Sequence, residues 1–345
     1  MRALVVLAVA GCGRIGFDAQ AVQSTLTLAA PSEALADFPL LVVLDDTRAN
    51  RAAMAADASD VRFFDGAGNL LVHEVEQVGT AGGPPLIAWV RVPMIAGATR
   101  LDVRYGYSDP PPPATGSVWS ASYAGVWHLS DAGNPLDATT AHHDGTLIGP
   151  VVAPGFIAGG RSFSDAVPPQ AIAIADAPDL GFTAITISAW IYQRTPTQNA
   201  YAAFVTRQEG AGPEDDFYLG EMGSTLYTEV TTTTGPAQGF TATGQTAPLG
   251  QWFHEAMTAD GAFVDLYFDG AQVASVSMSG SMVRSTNHIL FGADCNSSMP
   301  PCADSDPIDA ILDEIRIESV ARTPGWMAYD DAAMRDQVIT YGPVE

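Results

Sequence analysis

Ile185-Thr186-Ile187-Ser188-Ala189-Trp190-Ile191, Trp252-Phe253-His254-Glu255-Ala256-Met257 and Val264-Asp265-Leu266-Tyr267-Phe268-Asp269-Gly270 are short runs rich in β-branched and aromatic residues, and such runs read as strands. Strand signals of this kind recur from Val126 to the end at the spacing of a β-sandwich, and residues 119–343 suit one large unit of that class. The composition agrees. With 47% hydrophobic and 16% charged residues, 33 Gly and 24 Pro, the chain is too apolar for disorder and too punctuated for a helical protein, which predicts an all-β fold. The 15 basic and 39 acidic side chains give a formal charge of −24, and every basic residue is Arg. Nucleic-acid binding needs clustered cations to displace counterions from phosphate, and this chain lacks them. The absence of lysine excludes any mechanism built on a Schiff-base or phosphate-loop lysine.

Upstream, Phe38-Pro39-Leu40-Leu41-Val42-Val43-Leu44 is a continuous apolar run that reads as a buried strand. Val61-Arg62-Phe63-Phe64, the turn signal Asp65-Gly66-Ala67-Gly68-Asn69 and the run from Leu70 to Glu76 read as a hairpin. Ile87-Ala88-Trp89-Val90-Arg91-Val92-Pro93 and Leu101-Asp102-Val103-Arg104-Tyr105-Gly106-Tyr107 alternate with period two. Together these predict a small sandwich-like domain over residues 26–108, preceded by a polar tether at 12–25. Pro110-Pro111-Pro112-Pro113 favours extended polyproline II without backbone donors, so residues 109–118 are expected to be a semi-rigid linker.

Three resemblances sharpen this picture. Met1-Arg2, the short apolar run that follows and Val9-Ala10-Gly11-Cys12 resemble the signal and lipobox of bacterial lipoproteins. This implies a signal peptide at residues 1–11, lipidation of Cys12, and a place in the bacterial cell envelope, at the outer membrane or cell surface, with the lipid as the only membrane contact. Asp60-Val61-Arg62-Phe63-Phe64-Asp65, Trp89-Val90-Arg91-Val92-Pro93 and Tyr105-Gly106-Tyr107 resemble, in order and spacing, a bacterial surface-protein domain of unknown function. The third resemblance runs from Val126-Trp127-His128-Leu129 through Asp144-Gly145-Thr146-Leu147, Thr186–Ile191, Trp252-Phe253-His254 and Leu266–Gly270. It continues to Leu312-Asp313-Glu314-Ile315-Arg316-Ile317 and Ala321-Arg322-Thr323-Pro324-Gly325-Trp326. These segments are similar to the laminin-G-like, concanavalin-A-like jelly roll of bacterial surface proteins, which implies two packed antiparallel sheets. With Cys12 lipidated in an exported protein, Cys295 and Cys302 form an even pair and are expected to be disulfide-bonded.

Catalytic signals are sparse. No Gly-x-Ser-x-Gly elbow occurs, and His128, His142 and His143 read as solvated or loop histidines, with the last two alternating sides of a strand. Glycosidases of the concanavalin-A-like fold carry an acid-x-acid-x-acid strand. The nearest match, Glu314-Ile315-Arg316-Ile317-Glu318, places a cation at the central position, so no enzyme is expected. Calcium is the expected ligand, held by Asp294, Asp304 and Asp306 in a loop that also offers Asn296 and Asp309, at the place where related jelly rolls carry calcium ligands. Asp137 with Asp144 is a second candidate pair. Trp190 and Trp252 read as core, Thr231 to Thr234 as an exposed strand, and Tyr192, Tyr201, Tyr218 and Tyr227 flank a Gly-, Pro- and Thr-rich stretch suited to binding. The resulting expectation is a non-catalytic envelope protein that binds a glycan or a surface protein. A glycoside hydrolase and a ligand-free structural spacer are the alternatives.

Overall fold

The computed structural model describes residues 22–165, 168–196, 200–208, 215–234, 238–295 and 306–344. Cys12, Cys302, Asp304 and the expected signal segment lie outside them. The first unit contains β1 (Val22–Leu28), β2 (Leu35–Leu44), β3 (Arg62–Asp65), β4 (His73–Gln77), β5 (Leu86–Ile95) and β6 (Thr99–Tyr105). It is a sandwich of two sheets, β1-β6-β3 and β2-β5-β4, closed over a core that includes Leu26, Phe38, Leu40, Val42, Phe63, Val90, Leu101 and Val103. The apolar run of β2 pairs with β5 from Leu35↔Ile95 to Leu44↔Leu86. β1 already starts at Val22, inside the stretch expected to be a tether.

The expected hairpin at residues 61–76 is not formed as a strand pair. β3 pairs with β6 while β4 pairs with β5, so the chain changes sheet after the turn. Asp65 Oδ1 accepts from the Ala67 and Asn69 backbone N–H groups, which fixes the turn, but beyond the Phe64↔Leu70 bridge the chain departs to the other layer.

The second unit contains β7 (Tyr123–Trp127), β8 (Gly145–Ile148), β9 (Val151–Pro154), β10 (Gly159–Ser162), β11 (Ala171–Ile174), β12 (Ile185–Gln193), β13 (Tyr201–Gln208) and β14 (Asp215–Met222). It continues with β15 (Thr225–Val230), β16 (Gln238–Thr246), β17 (Trp252–Ala259), β18 (Phe263–Phe268), β19 (Ala271–Ser277), β20 (Ile289–Phe291) and β21 (Ala310–Glu318). One sheet runs β19-β18-β17-β12-β21-β10-β9 with β7 also on β21, and the other runs β16-β15-β14-β13-β20-β11-β8. All these pairings are antiparallel, and neighbours distant in sequence, such as β12 with β21 and β13 with β20, give the jelly-roll topology. Alternation drives the layering: Phe253 and Met257 of β17, Phe217 and Leu219 of β14, and Ile315 and Ile317 of β21 all point into one core between the sheets.

The C-terminus returns to the first unit. Thr323 Oγ1 accepts from the Trp326 N–H and Pro324 sits in the first turn of α1 (Pro324–Met334), so the helix starts where its cap and its proline dictate. Its Trp326 and Tyr329 pack on Phe38 with ring centroids 5.1 and 5.2 Å apart. β22 (Ile339–Val344) then pairs with β1, so the last strand, expected within the jelly roll, instead completes the sheet of the first unit. A further cluster of Leu41, Ile87, Trp89, Trp119, Val126, Trp190 and Met334 fills the seam between the units. Among the described residues no helix is long and apolar enough to cross a membrane.

Candidate binding recess on the seven-stranded sheet

On β14 and β15 the core takes Phe217, Leu219, Leu226 and Val230, and alternation sends Tyr218, Tyr227 and Glu229 to the opposite face. Tyr201 of β13 joins them. The three rings meet edge-on, with centroids 5.4 Å (Tyr201–Tyr227), 5.5 Å (Tyr218–Tyr227) and 6.2 Å (Tyr201–Tyr218) apart. Two glycines make room for them. A Cβ at Gly239 would meet the Tyr227 hydroxyl at 2.1 Å, and one at Gly220 would meet Tyr218 Cε1 at 2.8 Å. Tyr218 and Tyr227 are buried, whereas Tyr201 and Glu229 keep partial exposure.

Four carboxyls border the rings. Asp215 opens β14, Glu229 lies on β15, Asp294 follows β20 and Asp306 precedes β21. Backbone bonds hold the loop ends together: Asp306 N–H donates to the Asp294 carbonyl at 3.4 Å, and Ala203 N–H donates to the Asp306 carbonyl at 3.1 Å. The Tyr227 hydroxyl donates to Glu229 Oε2. Burial, then the charges of Asp294, Glu229 and Asp306, push Asp215 well above the carboxylate range. Burial, then Asp306, pushes Asp294 up to about 7, and burial pushes Asp306 up to about 6. One oxygen of Asp215 is buried without a hydrogen-bond partner. Burial and mutual repulsion therefore disfavour the charged forms of Asp215, Asp294 and Asp306, a cost that a cation would offset, and an all-oxygen donor set suits a hard cation.

Of the expected calcium ligands, Asp294 and Asp306 come together here, while Asp304 lies outside the described residues. Asp215 and Glu229 are additions that no loop-based reading supplies; the alternation that places Glu229 beside Tyr227 was the available signal. Tyr192 is on the other sheet, 5.6 Å from Trp252, and takes no part. Trp190 is fully buried, whereas Trp252 is only partly so. Thr231 and Thr232 are buried rather than exposed: Thr231 Oγ1 donates to the Asp215 carbonyl at 2.5 Å. Asp137 has no spare acceptor capacity for a metal, because it accepts from the Val126, Thr139 and His143 backbone N–H groups and from Thr139 Oγ1.

The histidines differ from expectation at two places. His142 and His143 lie in a loop rather than on a strand, and His143 is bonded to the Ala124 carbonyl and Asp179. His128 is not solvated. The first unit covers it, and Glu314 and Glu74 lie 2.5 and 3.1 Å from its two ring nitrogens, so that despite burial the neighbouring carboxylates favour the imidazolium form. The Glu314-to-Glu318 strand faces this seam. Arg316 donates to Glu314 at 2.9 Å and to Asp330 at 3.2 Å, and Glu318 accepts from Arg322, so the three side chains are committed to ion pairs.

The fold is thus an all-β arrangement whose larger unit is a concanavalin A-like jelly roll. Residues 169–328, from β11 into α1, match the family model described as the concanavalin A-like lectin/glucanases superfamily. Among solved structures, the binding domain of Paraclostridial Mosquitocidal Protein 1 is 14% identical, over 61% of this chain and 52% of that one, with a TM-score of 0.49. Domain 4 of AbnA, a GH43 extracellular arabinanase from Geobacillus stearothermophilus solved with arabinotriose, is 17% identical over 62% of this chain and 100% of that one, at 0.46. The botulinum neurotoxin serotype G binding domain is 11% identical over 61% and 50%, at 0.47. The chain therefore spans about half the length of the toxin binding domains it matches. No curated protein matches it.

Proposed function

We propose that this chain is a non-catalytic, lipid-anchored envelope protein whose jelly roll binds a carbohydrate or a protein partner at the recess on the seven-stranded sheet. Calcium is held there by Asp215, Asp294 and Asp306, with Asp304 as a further ligand from the loop between the last two, and a Cys295–Cys302 bridge pinches that same loop. The observation that carries the reading is the meeting of three edge-on tyrosines from adjacent strands with four carboxyls on one face. The partly exposed Tyr201 ring, backed by the buried Tyr218 and Tyr227 and set beside convergent polar groups, suits recognition of an amphipathic ligand such as a sugar. The lipid anchor rests on Val9-Ala10-Gly11-Cys12, and the absence of catalysis rests on Arg316, which spends the central position of the acidic strand on ion pairs.

The test is a glycan array probed with the purified chain in calcium buffer. Tyr201→Ala is expected to weaken retained binding roughly tenfold, the equivalent of one aromatic contact of about 1.4 kcal/mol. Binding that is unchanged in Tyr201→Ala would place the ligand elsewhere. Sugar release from mixed polysaccharides would instead establish a hydrolase, and failure to retain any glycan or surface protein would leave a structural spacer. In cells, Cys12→Ala should move the chain out of the membrane fraction.

A further inference from the structure

The seam between the two units holds a second cluster, remote in chemistry from the recess. Glu76 of β4, His128 just after β7 and Glu314 of β21 each offer one donor atom, and the three atoms lie within 4.8 Å of one another. His128 Nδ1 is 2.5 Å from Glu314 Oε1 and 3.7 Å from Glu76 Oε2. Tetrahedral coordination at zinc-like bond lengths needs donor atoms roughly 3.3 Å apart, so seating an ion parts His128 Nδ1 slightly from Glu314 Oε1 and draws on a Glu76 oxygen within the 4.8 Å that encloses the three donors.

The surroundings are those of held ligands. Glu74 Oε1 faces the other imidazole nitrogen at 3.1 Å and is itself fixed by the Trp119 indole N–H at 2.9 Å. A metal-bound histidine characteristically donates its remaining N–H to such a carboxylate. Arg316 holds the far oxygen of Glu314 at 2.9 Å, and the Trp89 indole N–H holds Glu76 Oε2 at 2.8 Å. That leaves Glu76 Oε1. It is buried without a hydrogen-bond partner, on a side chain only 2% exposed. A buried carboxylate oxygen left unpaired is costly, and a cation is the partner that removes the cost.

We propose that Glu76, His128 and Glu314 form a binding site for one divalent transition-metal ion of the zinc class, which ties the first unit to the jelly roll. One imidazole and two carboxylates are borderline-to-hard donors, which fits such an ion better than a thiophilic one. Glu76 comes from one unit and the other two ligands from the second, so the site is complete only when the units are docked. His128 keeps 14% exposure of its side chain, which leaves a way in for the ion.

The experiment uses the full chain, stripped with chelator and returned to excess calcium so that the acidic recess is occupied. Zinc is titrated calorimetrically, and Co(II) is added separately to read its ligand-field absorption. One ion per chain is expected, with a visible Co(II) band and a shift of the His128 ring resonances on adding zinc. His128→Gln and Glu76→Gln are expected to weaken the site about a hundredfold or more, while Glu74→Gln keeps the stoichiometry and weakens it about 10- to 100-fold. Wild-type protein that takes up no stoichiometric zinc overturns the proposal and leaves a protonated imidazole bridging carboxylates. Undiminished binding in both ligand variants overturns it as well. If the variants do not fold, the wild-type stoichiometry and the His128 resonances decide.

Discussion

Glu255→Gln is expected to flatten the pH dependence of stability, the difference from wild type growing by up to about 1.4 kcal/mol for each pH unit above about 4.3 until the folded pKa of Glu255 is passed. Glu255 lies on β17 between Phe253 and Met257, so alternation aims it into the space between the two sheets of the jelly roll. It is fully buried and neither carboxyl oxygen has a hydrogen-bond partner. Glu221, from the facing sheet, is also fully buried, and its Oε2 accepts from Gln193 at 2.9 Å. Burial, then Glu221, holds the Glu255 carboxyl well above the usual carboxylate range.

The folded chain therefore keeps a proton that the unfolded chain releases. The stability this group contributes is complete below its unfolded pKa and is lost as pH rises through its folded pKa. Glutamine has the same shape and no proton to lose. Its buried amide also lacks assured partners, which adds a cost of about 1–3 kcal/mol, but that cost is constant with pH, so the slope isolates the carboxyl. Urea unfolding of both proteins at pH 5, 6.5 and 8 is the measurement. Parallel curves would show that Glu255 ionises inside the fold.

How far the sequence reaches can be judged from particular residues. Ile185–Ile191 and Trp252–Met257 became β12 and β17 because their side chains need a two-sided apolar environment, and that need is local. Partner choice is not local. The turn at Asp65 formed as its residues demand, yet β3 and β4 went to different sheets, since alternation fixes a strand's faces but not its neighbour. The same limit separates Tyr192 from Tyr201, Tyr218 and Tyr227: all four flank one loop-rich stretch, but β12 lies in the other sheet. Asp294 and Asp306 were readable because they share a loop, whereas Asp215 and Glu229 reach the recess only through strand pairing. His128 was missed for a third reason. Its burial is created by the first unit docking on the jelly roll, and no window of sequence around Val126-Trp127-His128 carries that information.

Calcium is expected to raise the unfolding temperature of the chelated chain by about 5–10 °C at neutral pH, and to do so less at pH 5. A ligand at a hundredfold excess over Kd that binds only the native state stabilises it by about 2.7 kcal/mol. In a protein of this size, 1 kcal/mol moves the midpoint about 2–4 °C. The pH dependence follows from the carboxyls. Asp294 at about 7 and Asp306 at about 6 sit above their unfolded values, so without a cation their contribution is present at low pH and lost as pH rises through those values. Calcium must displace those protons, so it competes poorly at pH 5 and meets little opposition from Asp294 and Asp306 at pH 8, where the loss it reverses is greatest. Asp294→Asn with Asp306→Asn should abolish the calcium shift and raise the stability of the chelated chain at pH 8, because two like charges are gone. Glu314→Gln, which lies in the seam, should leave the calcium shift intact. A chelated and a calcium-loaded chain with the same melting curve at pH 8 would remove calcium from the recess, and an equal shift at pH 5 and pH 8 would place the ion away from Asp294 and Asp306.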